Sequence, residues 1–375
     1  MAEWKLIYVN GLLLFQNALL SLFQQILFRK AFVPRKILIF RTGSIGDSIC
    51  SFPSLVSIRN HFNQSKLTIL TNAGGNNLVS LKALFDQAYY DDIIDYSAYQ
   101  SIALLKLLLK KKYDLVIELP QDQVSFFTEI RNMFFFRAAG IKSGWGWQVT
   151  TSFSFRQTQE KRTSFVSERF RLLEIVNKNG VQLAANDCYP LRVSIADKRH
   201  AQELLTIAFG DTGDLKEVIA MVPGAKRPQN RYPIQRFKEL VNWLTNRGYN
   251  VIVIGGPEDR DMGSQLSNSD SVSSFCGQVT PMVSAALLMH CKICISNDTG
   301  PMHLSYAVGT PVIGLFSSRD FQQKWFPPMG HIALRNNDVH CSLCFSETCA
   351  NNICMQGISI ESVKESFVEM EERLV

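Results

Sequence analysis

From Leu6 to Phe28 the chain carries no charge, in the stretch LIYVNGLLLFQNALLSLFQQILF. On a helical wheel Leu12, Phe15, Leu19, Leu22, Phe23 and Ile26 share one face, and Gln16, Asn17, Ser21, Gln24 and Gln25 lie opposite. That spacing predicts an amphipathic helix, followed by the cations Arg29, Lys30, Arg35 and Lys36. Two readings stay open: the helix lies in a membrane interface with its basic flank on lipid, or it packs on the protein's own surface. A cleaved signal peptide is disfavoured, because FRKAFVPRK offers no good small-residue cleavage site. A spanning helix would be long enough, but Asn10, Gln16, Asn17, Gln24 and Gln25 are a heavy polar load. If it did span, the basic cluster would keep the body in the cytoplasm.

After Pro34 the pattern changes to short β-rich runs alternating with helical periods. KILIF (36–40), KLTIL (66–70) and YDLVIEL (113–119) are continuous in Val, Ile and Leu, as buried parallel strands are. DSICSFPSLVSIRNHF, SLKALF and YQSIALLKLLLKKK between them read as helices. A second series of strands begins near residue 217 with EVIAMVP, NVIVIGG, CKICIS and TPVIGLF. PIQRFKELVNWLTNRG is its best-marked helix, with Pro233 near the start and Gly248 just past the end. The class expected is α/β, with two doubly wound, Rossmann-like domains facing a cleft. We expect residues 1–35 to form the helical extension, 36–197 one domain and 198–375 the other.

Composition agrees with this division. A chain of 375 residues is long for one core, and 46% hydrophobic with 19% charged residues describes a globular protein. A formal charge of +6 without a dense basic stripe suits phosphate-bearing small molecules or an anionic membrane better than nucleic acid. Nine cysteines, an odd number without a secreted-scaffold spacing, point to a reducing compartment. The last four, Cys341, Cys344, Cys349 and Cys354, have C-x2-C-x4-C-x4-C spacing. Four thiolates so close could hold a structural zinc; reduced or disulfide-linked thiols are the plainer alternative.

In open α/β sheets ligands bind beyond the carboxyl ends of strands, and three loops there are unusual. RTGSIGDSICSFP (41–53) has Gly43 and Gly46, which let the backbone turn tightly and approach a ligand, and Asp47 at the start of a helix. Asp47 is either a carboxylate satisfying free helix N–H groups or a general base. The stretch lacks the dinucleotide and P-loop fingerprints. MVPGAKRPQNRYP (221–233) carries Lys226, Arg227 and Arg231, a basic turn that suits a diphosphate as well as plain solvated surface. CISNDTGPMHLSYAVG (294–309) leads a strand straight into a helix. The N–H groups near Thr299 and Gly300 would form an anion site there. Asp298 could fix the loop or bind a ribose, and His303, one turn in, is either a further anion contact or structural.

Taken in order, KILIFRTGSIGDSICSFPSLVSIRNHF, YDLVIELP, IAMVPGAKRPQNRYPIQRFKELV, VIVIGGPED, SNDTGPMHLSYAVGTPVIGLFS and CSLCFSETCANNICM resemble glycosyltransferase family 9, the heptosyltransferases of the lipopolysaccharide inner core. The resemblance covers residues 36–375. It implies a GT-B fold, with the acceptor on the first domain, a nucleotide sugar on the second, and closure of the two bringing them together. It also implies inverting, metal-independent transfer without a cofactor, typically of heptose from ADP-heptose to a glycolipid acceptor. The location expected is cytoplasmic, and peripheral at the inner face of the bacterial inner membrane if the N-terminal helix lies on lipid. Asp47 sits where the family has its proposed base, and Asp298, Thr299, Gly300 and His303 match its nucleotide loop. Gly43, Ser44, Gly46 and Glu118 would then lie on the acceptor side. The chain departs from the family pattern twice: Asn230 stands where Lys often precedes the R/H-W-P run, and ELPQDQ replaces the commoner DLQGN. Lys226 or Arg227 would then supply the missing phosphate contact. The alternatives are a family member using another nucleotide sugar and a non-catalytic membrane scaffold. A dinucleotide oxidoreductase is disfavoured by the missing glycine fingerprint.

Overall fold

The computed structural model describes residues 2–29, 33–72, 79, 81–150, 166–184, 187–210 and 218–374, the side chains of residues 2–7 and 9 apart. They form two compact units, and the chain passes from the first to the second at Pro190–Leu191, a few residues ahead of the expected boundary.

The first unit holds α1 (Ala2–Leu27), β1 (Lys36–Phe40), α2 (Ile45–His61), β2 (Lys66–Thr71), α3 (Leu81–Leu84), β3 (Asp92–Asp95), α4 (Ser101–Lys111), β4 (Leu115–Glu118), α5 (Phe126–Ala138), β5 (Ser143–Trp145) and α6 (Glu168–Lys178). Among the described residues its five strands are all parallel, in the order β3-β2-β1-β4-β5. Ile37, Leu38 and Ile39 of β1 are closed off on both faces, which is why that strand is a continuous apolar run. Helix α2 is buried along nearly its whole length, Gly46 to Ile58, and packs against α6.

The N-terminal helix is part of this unit. Leu13, Leu20 and Phe28 join the core cluster that contains Leu38, Val116 and Met133, and Phe28 stacks on Trp147 at 4.6 Å. Asn17 accepts from the Val149 N–H at 2.9 Å and donates to the Val149 carbonyl at 3.3 Å. The helix thus turns part of its polar face inward, and among the described residues no helix is long and apolar enough to cross a membrane.

The second unit holds α7 (Ile195–Phe209), β6 (Val218–Val222), α8 (Ile234–Asn246), β7 (Asn250–Val253), α9 (Arg260–Leu266), β8 (Val272–Ser274), α10 (Pro281–Leu288), β9 (Cys291–Asn297), α11 (Gly300–Ala307), β10 (Val312–Phe316), β11 (Ile332–Arg335), α12 (Ile353–Gln356) and α13 (Ile360–Glu372). Among the described residues six parallel strands run in the order β11-β10-β9-β6-β7-β8. Pro233 ends the loop before α8 and Gly248 follows that helix in the left-handed region, φ +88°, as the sequence predicts.

In both sheets the strand order reverses direction between the first strand and its partner after the crossover: β1 beside β4, and β6 beside β9. Ligands of doubly wound sheets bind beyond the carboxyl ends of strands at such a switch point. The turns after β1 and β4, and after β6 and β9, are therefore where each unit's chemistry belongs.

Candidate functional site

After β1 the chain makes a tight turn into α2. Ser44 is the residue before the helix, and both its N–H and its hydroxyl donate to Asp47 Oδ2, at 2.8 and 2.7 Å. Gly43 has φ +140°, and a Cβ there would lie 2.3 Å from the Asp47 Cβ. Only glycine lets the carboxylate fold back so far. The Gly43 N–H is held by Asn72 Oδ1 at 3.0 Å. One Asp47 oxygen therefore caps the helix, while Oδ1 lies 3.9 Å from Arg41 Nη2 and the side chain is 21% exposed. The two roles considered for Asp47 in the sequence are compatible: a capped, oriented carboxylate can also accept a proton.

Beneath this turn lies a buried charge cluster that sequence reasoning did not single out. Arg41 is 1% exposed and donates to the Asp47 carbonyl (2.8 Å), the Pro120 carbonyl (3.0 Å) and Glu168 Oε1 (3.4 Å). Arg171 donates to both oxygens of the same Glu168, at 2.7 Å each, and to the Pro120 carbonyl at 2.6 Å. Arg41 Nε and Arg171 Nη1 have no hydrogen-bond partner among the described residues. Two arginines on one buried carboxylate tie the ends of β1 and β4 to α6, and fix the turn that carries Asp47. The sequence signal was a lone Arg directly after a buried strand, too common to stand out.

Glu118, the last residue of β4, is buried and accepts from Asn132 Nδ2 at 2.8 Å. Burial pushes its carboxyl up to about 7, against smaller downward effects of Asn132 and Trp147. Glu129 on α5 is closed off too; burial and then the Glu118 charge raise it well above the ordinary range. Two such carboxyls favour at most one negative charge between them. Glu118, expected on the acceptor side, has its side chain turned inward onto Asn132 of α5.

In the second unit, Asn297 at the end of β9 accepts from the Tyr232 N–H (3.0 Å) and donates to the Pro223 carbonyl (2.7 Å). It ties the β6 turn to the β9 turn. Thr299 is the extended residue before α11, followed by Gly300 and Pro301; Pro301 has no N–H and the Met302 N–H donates to the Thr299 carbonyl at 3.1 Å, so the Thr299 and Gly300 N–H groups are those left for a ligand at the switch point. Asn230 lies close by, accepting from Ser317 at 2.7 Å and reaching Asp298 Oδ2 at 3.5 Å. Of the basic turn, Lys226 and Arg227 are exposed, Arg227 pairs with Glu347 at 3.3 Å, and Arg231 donates to the Ala225 carbonyl at 3.0 Å. His303 is buried, with Nδ1 2.8 Å from the Tyr306 hydroxyl and its ring edge-on to Trp325.

Asp298 keeps part of its surface open, yet burial and then the neighbouring Asp320 push its carboxyl up to about 7, with Arg227, Arg319 and Lys324 pulling the other way. Arg319 and Lys324, in the stretch after β10, are cations nearly closed off from solvent. Arg319 donates to the Ser346 carbonyl at 3.0 Å and pairs with Glu347 at 3.2 Å; Lys324 lies 3.7 Å from Asp320. Neither was expected from sequence, where they stand apart from every motif.

The four C-terminal cysteines do not assemble as a zinc site. Among the described residues no group of three or more His, Cys, Asp or Glu could hold a metal. Cys354 is buried in the second unit's core, Cys344 and Cys349 are exposed, and Cys349 Sγ accepts the Asn352 N–H at 3.2 Å. The loop is pinned by backbone bonds from Leu343 to Ser318 (2.7 Å) and from Phe345 to Arg319 (3.0 Å).

Residues 101–354, more than half of the chain, match the model of glycosyltransferase family 9 (heptosyltransferase). The chain belongs to this family. The match takes in the whole β6, β9 and β10 surroundings and leaves the Asp47 turn outside it. Lipopolysaccharide heptosyltransferase 3 of Escherichia coli is 23% identical over 299 residues, 75% of this chain and 83% of that one. A glycosyl transferase family 9 structure from Veillonella parvula DSM 2008 superposes with TM-score 0.71 at 20% identity, over 90% of this chain and 97% of that one. E. coli heptosyltransferase WaaC, solved with ADP-2-deoxy-2-fluoro heptose, gives TM-score 0.61 at 17% identity, over 90% and 99%. The fold is GT-B, and the chain is a heptosyltransferase-like glycosyltransferase.

Proposed function

We propose that this glycosyltransferase moves a heptose from ADP-heptose, with inversion, onto a lipopolysaccharide core or related glycolipid acceptor at the inner face of the inner membrane. The observation that carries the reading is the second unit's switch point, which lies within the family match: the open start of α11 beside Asp298, with Arg319 and Lys324 behind it. The nucleotide sugar in the WaaC structure and the names of the relatives support ADP-heptose as donor.

In this reading the acceptor hydroxyl attacks the anomeric carbon as the bond from that carbon to the diphosphate oxygen breaks. Asp47 takes the hydroxyl proton, and ADP leaves. The amide groups of Thr299 and Gly300, with Lys226, Arg231 and Lys324, offset the charge that grows on the departing diphosphate. Asn230 cannot supply that charge itself. It takes the place of a phosphate-contacting lysine by holding Asp298 and Ser317 together, while Lys324 brings a cation from the other side. Gly43, Ser44 and Gly46 shape the backbone the acceptor meets.

The experiment is Asp47→Asn. The amide oxygen can still accept from Ser44, so the cap survives and the base is lost. Turnover should fall on the order of 10²–10⁴-fold, with ADP affinity by calorimetry unchanged. Retention of most of the turnover would sink the assigned role. Titration with ADP, UDP and GDP checks the nucleotide: the reading requires ADP to bind best.

A further inference from the structure

Helix α1 buries Leu13 and Leu20 in the first unit, yet leaves much of its apolar stripe facing outward. A surface helix ordinarily turns its apolar stripe to the core and its polar stripe outward. Here Gln16, Asn17 and Gln24 are on the partly covered side, with Asn17 paired to the Val149 backbone. Leu12, Leu14, Phe15, Leu22 and Ile26 are exposed, Leu14 at 73%.

The next helix continues the surface. Helix α5 packs on α1, with the Phe23 and Phe134 rings 6.5 Å apart, edge to face. Its outward stripe is Phe127, Arg131, Phe134 and Ala138, spaced as one helix face, and Phe127 is 80% exposed. Two adjacent helices therefore both expose several large apolar side chains, more than the scattered ones that need no explanation.

The charges say what covers it. Arg29, Arg131, Arg137 and Lys142 are exposed on or next to these helices, and the Arg29 N–H donates to the Lys142 carbonyl at 2.7 Å. Among their described side chains the two helices hold a single carboxylate, Glu129, and it is buried. A second copy docking by the same face around a two-fold axis would bring this cationic set against itself, with no exposed acid among the described side chains of the two helices to answer it. Anionic headgroups over acyl chains complement both the cations and the apolar side chains.

We infer that the outward faces of α1 and α5 together form a docking surface for an anionic lipid bilayer, with Phe127 and Phe134 entering the interface beside Leu14, Phe15 and Ile26. This deepens the membrane placement proposed above by naming the surface, and it stands on that surface's own chemistry. No helix crosses the bilayer in this arrangement: α1 lies in the interfacial plane, anchored to the protein by Leu13, Leu20 and Asn17.

The test is flotation of the full chain with vesicles of phosphatidylglycerol and phosphatidylethanolamine, and with phosphatidylcholine alone. The wild type should float with the anionic vesicles and far less with the neutral ones. Leu14→Glu, Phe15→Glu and Phe127→Glu should each lower the bound fraction by about tenfold or more, since each removes one large apolar side chain from the interface. Arg131→Glu should act on the anionic vesicles alone. Melting curves and ADP calorimetry, unchanged in every variant, show that fold and donor site are intact. Failure of the wild type to float, with ADP still bound, overturns this surface and leaves the donor reading untouched; failure to bind ADP, with flotation intact, does the reverse. A loss on α1 but none at Phe127 overturns the two-helix surface. A concentration-dependent dimer in light scattering that the same substitutions abolish overturns the lipid in favour of a second copy.

Discussion

Asp298 shows how one side chain can couple chemistry to pH. Its carboxyl is pushed up to about 7 by burial and by Asp320, so below that value it is neutral and above it carries a charge beside the proposed diphosphate site. Each step up in pH through about 7 then adds repulsion against the ligand. ADP affinity should fall by several-fold between about pH 6 and about pH 8, and Asp298→Asn should flatten that dependence. Calorimetric titrations at three pH values decide it; an unchanged slope in the variant would remove Asp298 from the site. Lys324 gives the complementary residue-scale test. Lys324→Ala should weaken ADP on the order of tenfold, the loss expected of one charge-assisted contact. An unaltered affinity would confine this lysine to its contact with Asp320.

At the scale of elements, β4 and α5 meet over the Glu118–Glu129 pair, and this packing has a pH signature of its own. The folded pKa of Glu118, about 7, lies above the ordinary 4.5. Its contribution to stability is therefore full below about pH 4.5 and is lost as pH rises through about 7. Glu118→Gln keeps an oxygen for Asn132 and should recover on the order of 2 kcal/mol of that loss at pH 8, read as a smaller fall in denaturation midpoint between acid and alkaline buffer. A variant as pH-sensitive as the wild type would show that Glu118 is not what titrates. The same elements show what the sequence could and could not reveal. The interior strands β1, β2, β4, β6, β7, β9 and β10 announce themselves as apolar runs because both faces are covered. The strands it did not reveal are β3 (DIID), β5 (SGW), β8 (VSS) and β11 (IALR), and these are the four sheet edges. Short, half-covered strands have no pressure to be continuously apolar. The site divides along similar lines. The Asp47 and Thr299–Gly300 turns are local, strand into helix, and so legible. The Arg41–Glu168–Arg171 cluster and the Arg319 and Lys324 cations are assembled from distant segments, and no spacing along the chain records them.

For the molecule as a whole, two units with separate cores imply that damage to one can spare the other. Helix α1 belongs to the first core through Leu13, Leu20 and Phe28 and through the Asn17 pairing with Val149. Removing residues 2–27 would uncover what Leu13 and Leu20 cover. At roughly 1.5–3 kcal/mol for each fully buried side chain, the first unit loses about 3–6 kcal/mol, a large share of the stability of an ordinary domain. The donor site is proposed to lie wholly within the second unit, whose own cluster, from Ile219 to Met370, contains no residue of α1. Calorimetry of the truncated chain should therefore show one thermal transition moved down by several degrees and one unmoved, with the unmoved transition still raised by ADP. Loss of both together would mean that the units do not hold their stability separately, and an unshifted profile would mean that α1 adds nothing to the core. Either result would also bear on the lipid surface, since a helix fixed to its unit by buried leucines and a paired asparagine is what holds the exposed apolar face in place.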